Sequence, residues 1–173
     1  MKILFSLIKT SLNVNFGISA LKYRFTKEKK RLWEPIVVLI SIIIGLASIV
    51  GLYTFLLTGV FMAGKSLGQP EIVLTMAFMA SQLIILIFGI FYIMSSFYFS
   101  NDLNLLIPLP IKPGHIITAK FITILINEYL VALPLLIPAL IIYGIGLGMN
   151  MAYWLKGVFL ILTAPILPLV IAA

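Results

Sequence analysis

The sequence predicts an all-α, polytopic membrane protein: about four transmembrane helices preceded by an amphipathic helix at the membrane surface. Three observations carry the prediction. The 173 residues are 62% hydrophobic and 10% charged, with a mean hydropathy of +1.22; a soluble domain carries about 25% charge. Four apolar stretches each exceed the roughly 20 residues a helix needs to cross about 30 Å of hydrocarbon. None alternates strictly between apolar and polar residues, so they read as helices and not as barrel strands.

The chain divides into a basic interfacial segment, residues 1–34, and a transmembrane domain, residues 35–173. The first segment holds eight of the 12 Lys and Arg residues. Within it, Leu4, Leu7, Ile8 and Leu12 share one face of a helix, with Lys2 and Lys9 as its early charges. Lys22, Arg24, Lys27, Lys29, Lys30 and Arg31 follow as a basic block. An apolar helix face, then a basic cluster directly before a span, suits an anionic lipid surface and argues against a nucleic-acid partner. The segment is too charged and too weakly apolar for a cleaved signal peptide.

The first span is expected over about 35–62. Trp33 sits at its near end, where the headgroup level favours tryptophan, and Gly45, Ala47 and Gly51 offer small surfaces for helix packing. A short polar turn over 64–71 leads to a second span, about 72–94, with Phe97, Tyr98 and Phe99 as an aromatic exit belt. The third span, about 120–143, carries Asn127 and Glu128 and then Pro134 and Pro138. Gly144, Gly146 and Gly148 make a loose turn. Their spacing is no nucleotide loop, because no strand precedes it and no helix with the required third glycine follows. Tyr153 and Trp154 form another belt, and a fourth span, about 153–173, contains Pro165 and Pro168. Ala173 ends inside an apolar run.

Basic residues set the orientation. Eight lie in the N-terminal segment and Lys112 and Lys120 in or beside the central loop, against Lys65 and Lys156 on the other side. Positive residues stay inside, so the N-terminus and the central loop are expected in the cytoplasm.

Reactive chemistry is sparse. There is no cysteine, and the one histidine, His115, has no partner at ligand spacing. No Ser-His-Asp pattern, H-E-x-x-H or Walker motif occurs, so no catalytic residue, metal site or cofactor is assigned, and an intramembrane hydrolase is disfavoured. Glu128 asks for an explanation. A carboxylate within a span costs roughly 3 kcal/mol on insertion scales. It must be protonated, face a wet path or bond a neighbouring helix. Three readings stay open: with Asn127 it lines or gates a transport route, it makes a polar helix–helix contact, or the span starts later and leaves it at the interface.

The whole pattern turns on the central stretch, residues 100–119. Ser100, Asn101 and Asp102 read as a helix start. Leu103, Leu106 and Ile107 follow at i, i+3, i+4 and share a face. Pro108 and Pro110 stop that helix, since each lacks an N–H. Pro113-Gly114 turns the chain, and a new helix can start near His115. This stretch resembles the cytoplasmic coupling segment of ABC-2 type transporter permeases, the membrane-spanning subunits of bacterial ATP-binding-cassette exporters. That segment runs as an acidic start, Gly-Thr, an acid, Leu-Leu, a proline turn and a Gly-Lys pair. Leu105-Leu106 match the paired leucines, Pro110-Ile111 the proline turn, and Ala119-Lys120 the small-residue-plus-lysine pair. Gly-Thr is missing and Asn104 replaces an acid, which is closer to the divergent Gram-positive branch with its Leu-Pro-Leu-Pro-Ile type of turn.

The resemblance implies a permease in the bacterial plasma membrane, with a separate cytosolic ATPase docking on Asp102, Leu103, Leu106, Ile107, Leu109, Pro110 and Lys112. It also implies a second permease subunit, identical or different, to enclose a path. Membrane domains of that family usually have at least six spans, so the chain reads as an N-terminal part of a longer permease, or else as a naturally short chain. The alternative from another class is an accessory or immunity-type membrane protein without transport activity.

Overall fold

The computed structural model describes residues 2–17, 19, 22–23, 33–99 and 112–172. The fold is all-α, with no strand among the described residues. Its helices are α1 (Lys2–Asn15), α2 (Trp33–Ser66), α3 (Ile72–Phe97), α4 (Pro113–Gly146), α5 (Met151–Thr163) and α6 (Ile166–Ala172). Four stretches are long and apolar enough to cross a membrane: Ile36–Ser66, Ile72–Phe97, Pro113–Gly146 and Met151–Ala172. The last joins α5 and α6. These helices have the length and composition of a multi-pass membrane protein.

The chain forms two compact units. The first takes the chain up to Ile49 and the segment 101–123. Its α1 half-buries Leu7, Ile8, Ser11 and Leu12, which lie along one side, and leaves Phe5, Lys9 and Val14 exposed. Gly17, with φ +59°, follows the helix, and its N–H bonds the Val14 carbonyl. On α4, Pro113 takes the first helical position, where a missing N–H removes nothing. The preceding Lys112 is exposed, and its carbonyl accepts from the His115 N–H at 2.9 Å. α4 thus begins at Pro113, ahead of the Lys120 start expected for the third span. Ala119, Lys120 and Thr123 are buried, and Thr123 Oγ1 lies 3.2 Å from Ser11 Oγ, which ties α1 to the start of α4. The α2 part of this unit is apolar on every side, and Ile36, Val38, Ile40, Ile43 and Leu46 are all exposed. A helix of that kind needs an apolar solvent. Among the described residues, Gly45 has no neighbour within 4 Å of a Cβ, and neither does Gly51 further along α2, so no described residue packs on either glycine.

The second unit takes residues 50–100 and 124–173. Its core gathers Leu57 and Phe61 of α2, Val73 and Ala77 of α3 and Ala139 of α4, with Tyr53, Val60, Ile142 and Tyr143 around them. α3 buries Val73, Ala77, Ser81, Ile85 and Gly89. These recur every fourth residue, and three of them are small, so a neighbouring backbone can come close.

Tyr153 and Trp154 are half-buried and pack on other aromatic rings. Tyr143, Tyr153 and Trp154 stack in series at 5.7 and 5.5 Å, and Phe61 meets Tyr143 edge-on at 6.5 Å. This stack explains the glycines of the turn. A Cβ on Gly144 would come 2.8 Å from Tyr153 and 2.9 Å from Trp154, and one on Gly146 would run into the Phe61 ring. Gly148, with φ +63°, reverses the chain, and Asn150 caps α5 by accepting from the Tyr153 N–H.

Candidate functional site

Span four is broken, not continuous. α5 ends at Thr163, Ala164 and Pro165 form a turn, and α6 starts at Ile166. Pro165 and Pro168 remove two N–H groups from adjacent turns, so carbonyls near the break lose their helical donors. In a regular helix the Ala164 carbonyl would accept from residue 168, which is proline. It accepts instead from Gln82 Nε2 of α3, at 3.0 Å. The Leu162 carbonyl accepts from the Tyr129 hydroxyl of α4. The break is therefore held from two helices by side-chain donors. Pro134 and Pro138, by contrast, stay inside an uninterrupted α4.

Beyond the break, α6 packs on α3. Leu169 is fully buried, and Pro168 is buried beside it in sequence. A Cβ placed on Gly89 would stand 3.2 Å from Leu169 Cδ2, 3.8 Å from the Ala172 Cβ and 3.9 Å from Glu128 Oε1. Gly89 is thus the point where α3, α4 and α6 meet, and the third group there is a carboxylate.

Glu128 has 0% of its surface exposed. Neither carboxylate oxygen has a hydrogen-bond partner among the described residues. It lies near the middle of α4, well inside the helix. Of the three readings taken from the sequence, the polar helix–helix contact finds no bond among the described residues. An ionised carboxylate in such a place, with no partner, is among the costliest groups a protein can bury. Asn127, the other residue assigned to a route, is 9% exposed and also buried. Ser81 on α3 is buried, with its hydroxyl donated to the Phe78 carbonyl at 2.8 Å.

Of the residues assigned to ATPase docking, Asp102, Leu103, Leu106, Ile107, Leu109 and Pro110 lie outside the described residues, and only Lys112 is placed, exposed at the entry to α4. Gln82, Tyr129 and Gly89 were not singled out from the sequence. The available signal was the four-residue period of small side chains on α3 and the unusual pairing of two prolines three residues apart in span four. No family model, curated protein or solved structure matches the chain.

Proposed function

We propose that the chain is the membrane-spanning permease subunit of an ATP-driven exporter, with its N-terminus and central loop in the cytoplasm of a bacterial cell. One observation carries this reading: four membrane-length helices with a proline-bounded apolar segment, Leu103 to Pro110, between the second and third. A loop face of that kind does not stay in water; it seats in a partner's groove. The partner is a cytosolic ATPase, and its closure pushes the segment and re-packs the spans. A second membrane subunit completes the enclosure. The buried, unpartnered Glu128 supports a transport role for the helices around it, because a group so costly to bury has use as a site for a passing ligand.

The test is a pull-down of the ATPase with native and Leu106→Asp permease at matched membrane levels, with export measured in parallel. Leu106→Asp puts a charge in the centre of the docked face and is expected to detach the ATPase while the protein still inserts. A mutant that keeps its ATPase and still exports makes the segment a membrane-surface hairpin and favours the accessory-protein reading.

A further inference from the structure

Glu128 is enclosed by side chains that cannot neutralise it. α3 carries no charged residue, and its only titratable group, Tyr92, is exposed; α6 has none. The charged residues of the α2 and α5 parts of this unit, Lys65 and Lys156, are exposed. Tyr53 and Tyr153 give their hydroxyls to the carbonyls of Leu135 and Leu140, Tyr129 gives its own to Leu162, and Tyr143 stacks among the aromatic rings. On α4, Lys120 lies eight residues earlier, about 12 Å along a regular helix. Among the described residues no three His, Asp or Glu side chains gather to hold a metal ion. The ligand that fits a single, fully enclosed carboxylate is a proton.

We propose that Glu128 is a proton-binding site gated by the broken fourth span. This deepens the transport reading of Glu128 and does not depend on the ATPase. With α6 seated on α3, the carboxyl holds its proton between Gly89 and Leu169. For the O–H bond to break, the proton must pass to entering water, and the carboxylate left behind must be hydrated. The seven-residue α6 is the wall that can move to admit that water. It is joined to α5 through the Ala164–Pro165 turn, whereas α3 and α4 belong to the core of Leu57, Val73 and Ala139. The bonds at the break connect the two events. Tyr129, which holds the Leu162 carbonyl, is the residue directly after Glu128 on α4, and Gln82 holds Ala164 from α3. Proton release and departure of α6 from Gly89 are therefore one transition.

The chain has no cysteine, so Ala172→Cys reports on the gate alone. The full chain in mild detergent is reacted with a small thiol reagent across a pH series, and each rate is divided by that of Ser66→Cys, an exposed residue. The normalised rate is expected to rise with pH by up to about tenfold per unit, the limit for one proton. With Glu128→Gln added, it should stay low and flat. A pH profile that is the same with Glu128 and with Gln overturns the proposal. So does a gate that closes on added sodium or calcium at fixed pH, since the ligand is then a metal cation. A second measurement uses the unmutated chain: a hydrophobic carbodiimide, which attacks protonated carboxyls in apolar surroundings, should modify Glu128 in preference to the exposed Glu71. Labelling of Glu71 without Glu128 overturns it too. Neither assay contains an ATPase, so failure of the exporter reading leaves both results standing, and their failure leaves that reading standing.

Discussion

Gln82→Leu removes the donor to the Ala164 carbonyl while nearly keeping the side-chain volume. The bond is 3.0 Å long, and Pro168 has no N–H to replace it. A carbonyl left unsatisfied in apolar surroundings costs about 1–3 kcal/mol. Interhelical hydrogen bonds measured in membranes run lower, at about 0.6–1.7 kcal/mol. The expected loss is therefore about 1–2 kcal/mol, read from reversible unfolding of the full chain in mixed micelles by tryptophan fluorescence. The cause can be isolated with a second substitution. Pro168→Ala restores an N–H four residues after Ala164 and lets the helix satisfy its own carbonyl. In that background the Gln82→Leu penalty should fall below about 0.5 kcal/mol. A double-mutant cycle with no coupling, the two penalties adding within about 0.3–0.5 kcal/mol, would show that Gln82 does not compensate the proline and that the break is held by packing alone.

Two further outcomes are expected. Gly144→Ala should destabilise by about 1–3 kcal/mol, because its Cβ enters the Tyr153 and Trp154 rings, whereas Gly45→Ala, with open space around it, should be neutral or slightly stabilising; equal effects in the same unfolding assay would contradict the packing of the aromatic stack. Single cysteines at Thr26 and Ser100 should resist an impermeant thiol reagent in whole cells and react after permeabilisation, while Ser66→Cys should react at once; labelling of either of the first two in intact cells reverses the orientation.

The four long helices could be read from the sequence because hydropathy is a property of a stretch and needs no partner. Ile36 to Ser66 is apolar whatever it touches. The burden of Glu128 could be read too, since a carboxylate inside a span is costly in any packing. What could not be read was which helices enclose it. Gly89 comes to Glu128 across a separation in sequence, and only its place in the period of Val73, Ala77, Ser81 and Ile85 marks it. The proline break illustrates the same limit. Pro134 and Pro138 leave α4 intact, and Pro165 and Pro168 end a helix, although each pair sits in an apolar run. The carbonyls beside the second pair have donors in Gln82 and Tyr129, from two other helices, and no local pattern announces such a pairing. The ring partners of Tyr153 and Trp154 were hidden for the same reason, since Phe61 and Tyr143 come from α2 and α4.

The first half of α2 has a consequence for how this chain can change over time. From Ile36 to Leu46 no side chain is buried among the described residues, so within them the demand on each position is that it be greasy and helix-compatible. Isoleucine, valine, leucine and phenylalanine are interchangeable there at little cost, and the spelling of the segment can drift while its role is untouched. Gly89, Gly144 and Gln82 have no such freedom, for each answers to a specific atom a few ångströms away. A kinship for this chain is better sought in the spacing of those few fixed points than in the letters of its longest helix.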